Sequence, residues 1–123
     1  MKKILVIDDE IHLRELYNAE LSDEGYQVIL AKDGFEGIRL CEQQDPDLII
    51  VDIRMPGMDG LETIARLLNI NRSHPIIIHS AYPNYQDNFM SWNADAFIVK
   101  SGDLSDLKRK VNELLNEVET KQP

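Results

Sequence analysis

The chain has 123 residues, enough for one domain with a single substantial core and too few for a second. Hydrophobic residues at 43% and charged residues at 28% are ordinary globular values, but the formal net charge of -9 argues against direct nucleic-acid binding, which needs a basic surface to neutralise phosphates. The single cysteine, Cys41, has no partner for an internal disulfide, and neither a signal peptide nor a membrane-spanning stretch is evident, so the cytoplasm is the expected location and no membrane insertion is foreseen.

In chain order, the apolar run from Lys3 to Ile7 predicts a first strand. Leu13, Leu16, Tyr17 and Leu21 then form a helical stripe, closed by Gly25 as a left-handed cap. A second strand is expected over Tyr26 to Ala31, followed by a helix whose stripe is Phe35, Ile38 and Cys41. Leu48 to Val51 predicts a third strand, and Leu61, Ile64, Ala65 and Leu68 place a third helix by their i, i+3, i+4, i+7 spacing. Ile76 to His79 is a fourth strand, and the helical pattern near Tyr85 to Trp92 is the weakest of the set. Ala96 to Val99 predicts a fifth strand, and Leu104, Leu107, Val111, Leu114, Leu115 and Val118 line one face of a last helix. The runs are short and continuous, as strands buried on both faces are. Strict alternation of strand and helix implies a parallel α/β sheet with right-handed crossovers and helices on both faces. Only Thr120 to Pro123 reads as a frayed tail.

Four of the apolar runs lead directly into polar residues: Asp8 and Asp9, Asp52, Ser80 and Lys100. In an open parallel sheet these positions gather along the carboxyl edge, where ligands bind. Three carboxylates crowded together raise one another's pKa unless a cation joins them, so a divalent ion is expected. Mg2+ is commonly held by one or two carboxylates with waters and phosphate oxygens. A carboxylate is also a competent nucleophile toward phosphorus, and Mg2+, Lys100 and the Ser80 hydroxyl suit the equatorial oxygens of a phosphoryl group in transfer. The cluster reads as a site that receives a phosphoryl group.

These residues resemble the receiver domain of two-component response regulators, through ILVIDDE at 4 to 10, VDIRMPGMDG at 51 to 60, IIIHSAY at 76 to 82 and ADAFIVK at 94 to 100. The resemblance spans essentially the whole chain, with residues 1 to 119 as the receiver. It implies a flavodoxin-like doubly wound fold with strand order 2-1-3-4-5. It also implies that Asp52 is the phospho-acceptor, that Asp8 and Asp9 bind Mg2+ with the Arg54 backbone carbonyl as a further ligand, and that Lys100 pairs with the phosphoryl oxygens. Ser80 would be the switch hydroxyl and Phe97 the aromatic that changes rotamer with it. The implied partners are a sensor histidine kinase or phosphotransfer protein as donor, and a downstream effector protein or separate output domain. The readout face would comprise the fourth helix, fifth strand and last helix, where Tyr82, Tyr85, Phe89 and Trp92 cluster in sequence. The protein would dephosphorylate slowly and would not be a turnover enzyme, and it would be either a stand-alone receiver or a piece of a longer regulator.

Taken singly, most of these features have plainer readings. Asp-Asp before a helix is more often a cap, and MPGMDG is in any case a tight turn. His12, His74 and His79 are expected to be structural or surface residues, and Cys41 a core residue. A phosphatase of the haloacid dehalogenase type has one residue between the acids that follow its first strand, whereas Asp8 and Asp9 are adjacent. An FMN binder of this fold would need a Ser, Thr and Gly loop where Asp8, Asp9 and Glu10 stand, and a scaffold that takes no phosphoryl group would be expected to lack Asp52 or Lys100. Two residues depart from the receiver pattern. Ser101 stands where proline usually follows the lysine through a cis bond, which leaves the Lys100-Ser101 peptide either trans or held cis at about 2.5 to 4 kcal/mol. Asn93 replaces a frequent glycine, and asparagine tolerates the left-handed conformation that the position requires.

Overall fold

The computed structural model of the protein describes residues 1–120, leaving aside the side chains of Asp87, Met90 and Ser91 and those of residues 117–120. Its strands are β1 (Lys3–Ile7), β2 (Gln27–Ala31), β3 (Leu48–Val51), β4 (Ile76–Ser80) and β5 (Ala96–Val99). Its α-helices are α1 (Ile11–Asp23), α2 (Gly34–Gln44), α3 (Gly60–Ile70) and α4 (Ser105–Thr120), and Pro83–Trp92 is a 3₁₀ helix. All strand pairs are parallel, in the order β2-β1-β3-β4-β5. Among the described residues no helix is long and apolar enough to cross a membrane.

The period-two geometry of a strand divides the apolar runs between two cores. Leu5, Ile7, Ile49, Val51, Ile76 and Ile78 face α2, α3 and the 3₁₀ helix, where they meet Cys41, Ile64, Leu67 and Ala94. Ile4, Val6, Leu48, Ile50, Ile77 and Ala96 face the other way, against Tyr17 and Leu21 of α1 and Leu107, Val111 and Leu115 of α4. The central strands are therefore buried on both faces, and β2 at the edge is only partly covered.

The helical stripes differ from the expected ones at particular residues. Leu16 is exposed, and α1 buries Tyr17 and Leu21. Phe35 is 61% exposed, and α2 instead turns Gly34, Gly37 and Cys41 inward. Close approach is the reason: a Cβ at Gly37 would lie 2.4 Å from Ile7 Cδ1, and one at Gly34 would lie 2.3 Å from Thr63 Oγ1. In α3 the buried face is Gly60, Thr63, Ile64 and Leu67, with Ala65 outside. Thr63 is tolerated there because its hydroxyl donates to the Asp59 carbonyl at 2.8 Å. Leu104, Leu107, Val111 and Leu115 are buried as expected, while the Val118 side chain and the tail at 121–123 lie outside the described residues. Thr120 closes α4.

Turns end these elements by specific backbone conformations. Gly25 and Asn93 both adopt positive φ, at 95° and 62°, as their residue types allow. Asp45 caps α2 in the left-handed region at φ 48°, a position that sequence did not mark. The Lys100-Ser101 peptide is trans, since no cis bond occurs among the described residues.

The turn from β3 into α3 carries the tightest constraint. Gly57 takes φ 83°, and the Gly60 N–H donates to the Ile53 carbonyl at 2.7 Å. A Cβ at Gly60 would lie 2.2 Å from the Asp52 carbonyl oxygen and 2.6 Å from Ile53 Cα, both backbone atoms without room to yield. Gly60→Ala is expected to destabilise by about 3 kcal/mol in chemical denaturation, whereas Gly102→Ala, with open space around it, should change stability by less than about 0.5 kcal/mol. Equal effects of the two would contradict this packing.

Candidate functional site

Parallel register brings the polar residues that follow the strands to one edge. Backbone hydrogen bonds continue the ladder past the strands: Asp8 N–H donates to the Ala31 carbonyl, Asp52 N–H to Ile7 and Lys100 N–H to Ser80, at 3.1, 3.0 and 2.8 Å. Each site residue is thus fixed by the main chain before its side chain does anything. Lys100 Nζ donates to Asp8 Oδ2 at 2.9 Å and to Asp52 Oδ2 at 3.2 Å, spanning from the end of β5 to the ends of β1 and β3. Asp8 and Asp52 are buried, while Asp9 is exposed at the mouth. A carboxylate oxygen from each of Asp8, Asp9 and Asp52 lies within 4.8 Å of the others, close enough to share one ion.

The charges are unbalanced. Against three carboxylates the only cation bonded to them is Lys100 among the described residues, which leaves negative charge in excess. Burial pushes the Asp52 carboxyl up from its ordinary value, Lys100 pulls it back, and the Asp8 charge pushes it up again. Burial pulls the Lys100 ammonium down, but the hydrogen bond to Asp8 and the charges of Asp52 and Asp8 outweigh it and hold the group raised. Oxygen donors with uncompensated negative charge suit a hard divalent cation such as Mg2+.

Asp8 is not a helix cap. Its Oδ1 accepts from the Glu10 N–H at 3.0 Å, Glu10 is the N-cap of α1, and Arg14 Nη1 donates to the Asp8 carbonyl at 2.7 Å. Asp59 is the cap in the MPGMDG turn, accepting from the Glu62 N–H at 2.9 Å. Ser80 is buried, and its Oγ accepts from the Tyr82 N–H at 3.1 Å. The Arg54 guanidinium carbon lies 4.6 Å from the Tyr82 ring centroid. Phe97 is buried against Phe89, ring centroids 6.4 Å apart.

The sequence matches the response regulator receiver domain over residues 4–112. The chain belongs to the response regulator receiver family. Among the relatives of this receiver, the two-component response regulator PhoP of Pseudomonas aeruginosa is 33% identical over 115 residues, 92% of this chain and 51% of PhoP. The receiver spans 50% to 65% of the length of the first curated relatives it matches. The crystal structure of the response regulator TrrA from Thermotoga maritima in complex with Mg2+-BeF is 41% identical at a TM-score of 0.87, covering 93% of this chain and 99% of TrrA. A crystal structure of the histidine kinase ThkA in complex with TrrA holds a chain 42% identical at a TM-score of 0.86, covering 94% and 99%. The receiver fold and its strand order agree with those expected from the motifs.

Sequence reading missed one buried feature of this receiver. The Tyr17 hydroxyl hydrogen-bonds His79 Nδ1, and the rings meet edge to face at 5.6 Å. Tyr17 reads as part of an apolar stripe and His79 as a structural or surface residue, and only a polar tip on each hinted at a pair. His79 is indeed buried, as is His74, whose Nε2 lies 3.5 Å from Cys41 Sγ, while His12 is exposed. Of the aromatics expected on the readout face, Tyr82 is exposed, whereas Tyr85, Phe89 and Trp92 pack against the core.

Burial, with Lys100 nearby and only Asp8 opposing, lowers His79 from its ordinary 6.5 to about 4. A histidine held low binds its proton more tightly when unfolded, so its contribution is present above about pH 6.5 and is lost as pH falls toward 4. Between about pH 7 and pH 5 this residue should remove about 2 kcal/mol of stability, measured by denaturation in metal-free buffer. His79→Leu should flatten that dependence, and an unchanged slope would refute the assignment.

Proposed function

We propose that this receiver accepts a phosphoryl group on Asp52 from a sensor histidine kinase or a phosphotransfer protein and changes conformation to signal to an effector protein or an attached output domain. One observation carries the reading: Asp52 is buried at the centre of the cluster, tied by Lys100 to Asp8 and within ion-sharing distance of Asp8 and Asp9. TrrA, crystallised with Mg2+-BeF and with the kinase ThkA, supports the choice of ion and of donor.

Asp8, Asp9 and Asp52 would hold Mg2+, with the Arg54 carbonyl as a further ligand. When bound, Mg2+ neutralises the cluster and the phosphoryl oxygens. Asp52 supplies the carboxylate oxygen that attacks phosphorus, in line with the departing donor nitrogen. Lys100, already between Asp8 and Asp52, stabilises charge on the transferred group, and water later hydrolyses the acyl phosphate. This is a self-modification followed by slow loss of the group, not turnover of a substrate.

The new oxygens on Asp52 offer acceptors for the Ser80 hydroxyl, drawing the Ser80–Tyr82 turn toward the site. Phe97 shares β5 with the residue preceding Lys100, and its partner strand β4 ends at Ser80. Room released by the turn is then available to the Phe97 ring. The phosphorylated conformation is selected by these differential contacts, so the switch is a population shift.

Incubation with labelled acetyl phosphate and Mg2+ should place the label on Asp52. Asp52→Ala, or removal of divalent ions with EDTA, should reduce incorporation to background; an unchanged yield in either case would sink the assignment.

The Arg54 guanidinium lies against the Tyr82 ring, and the two residues follow Asp52 and Ser80 by two positions each, so they would hinder or align the hydrolytic water. Arg54→Ala and Tyr82→Ala should each change the dephosphorylation rate several-fold without abolishing phosphorylation. Ser80→Ala should leave Asp52 able to accept the group but weaken the phosphorylation-dependent chemical-shift changes around Phe97. Parent-like shifts in Ser80→Ala would disprove the hydroxyl-aromatic coupling.

A further inference from the structure

The partner of Arg54 is unexpected for a guanidinium in its position. Arg54 follows Asp52 by two residues, so their Cα atoms lie no more than about 7 Å apart, and the Asp52 carboxylate is one of three whose only bonded cation among the described residues is Lys100. Asp9, the third member of that cluster, is exposed, and its carboxylate has no ion-pair partner among the described residues. Charge alone would draw Arg54 to these acids. It makes no ion pair with any described residue, and its guanidinium carbon lies instead 4.6 Å from the centroid of the Tyr82 ring, a cation on the negative face of an aromatic.

The ring is held in place by the main chain that bears it. The Tyr82 N–H donates to Ser80 Oγ at 3.1 Å, and the Tyr82 carbonyl accepts from the Tyr85 N–H at 3.3 Å. A planar, weakly hydrated guanidinium can lie on a ring face or pair with a carboxylate, so the place of the ring decides between the two. An arginine paired with Asp9 or Asp52 would supply the positive charge the cluster lacks and occupy oxygens that a divalent ion needs.

We propose that the Tyr82 ring holds the Arg54 guanidinium away from the acidic cluster, so that the cluster stays short of positive charge and open to the divalent ion. Tyr82 is then a positioning residue, acting on the ion through Arg54. The Arg54 main chain remains free to offer its carbonyl to Mg2+ while its side chain is kept from competing. Because the ring stands on the turn that carries Ser80, the place of the guanidinium is tied to the segment that bears the switch hydroxyl. The inference rests on the reading of Asp8, Asp9 and Asp52 as the Mg2+ site.

The test uses the complete chain with Mg2+ alone as probe, followed by the amide chemical shifts of Asp9, Asp52 and Asp59. Both Arg54 and Tyr82 are exposed, so their substitution leaves the two cores intact. Tyr82→Ala releases the guanidinium, and occupation of the carboxylates for about three-quarters of the time raises the Mg2+ Kd about fourfold. Tyr82→Phe keeps the ring face and should restore the Kd to within about 1.5-fold of the parent. In an Arg54→Ala background, which keeps the main-chain carbonyl and removes the cation, Tyr82→Ala should change the Kd by less than about 1.5-fold, so the two substitutions are non-additive. Without metal, the side-chain carboxyl carbon shifts of Asp9 and Asp52 should move in Tyr82→Ala and stay in place when Arg54 is also alanine. A Tyr82→Ala protein that binds Mg2+ within about 1.5-fold of the parent, or one weakened equally with and without Arg54, overturns the proposal. A parent in which Mg2+ moves none of the three amides refutes the metal-site reading and this inference with it, whereas normal binding by the parent and by Tyr82→Ala refutes the inference alone.

Discussion

Lys100 reaching back to Asp8 and Asp52 is the interaction on which the rest of the site depends. Carboxylates within 4.8 Å of each other repel by about 3 kcal/mol at an effective dielectric of about 20. Burial of Asp8 and Asp52 adds a desolvation cost to that repulsion. One ammonium bonded to both offsets much of it, so the strand ends can stay close without a metal ion. It does not balance the cluster, and Asp9 remains exposed and free to join an incoming cation. The result is an acidic site stable enough to fold and still short of positive charge.

The scaffold holds this arrangement because two apolar layers clamp the sheet. Each central strand sends alternate side chains into opposite cores, so a strand cannot slide by one residue without exposing one core and burying polar groups in the other. Main-chain bonds past the strand ends extend that rigidity to Asp8, Asp52 and Lys100 themselves. The turn after β4 is held by the Tyr82 N–H to Ser80 Oγ and Tyr85 N–H to Tyr82 carbonyl bonds and leads into a 3₁₀ helix.

The places where patterns in the chain misled are informative. Phe35 is apolar and in helical register with Ile38, but the buried face of α2 is built from Gly34 and Gly37, whose lack of side chain permits contact with Ile7 and Thr63. A hydrophobic stripe cannot reveal a face made by absence of side chains. Ala65 likewise fits the apolar spacing of α3 yet is exposed, whereas Thr63 points in, its hydroxyl bonded to the Asp59 carbonyl. Tyr85, Phe89 and Trp92 lie near one another in sequence but turn to the core, since the 3₁₀ path differs from the α-helical one on which such spacing is judged.

By itself the sequence determined the element order, the parallel sheet and the family, because short apolar runs that end in Asp8-Asp9, Asp52, Ser80 and Lys100 admit few other folds or chemistries. It also foretold that Asn93 would take the left-handed turn, since that preference is local to the residue. Only the tertiary structure decided that Lys100 bridges two carboxylates and that its peptide to Ser101 is trans. Only it paired Tyr17 with His79, 62 positions apart. Local preferences are written in neighbouring residues, whereas contacts between distant side chains depend on how α1 and β4 are brought together by the two cores, and no spacing along the chain encodes that distance.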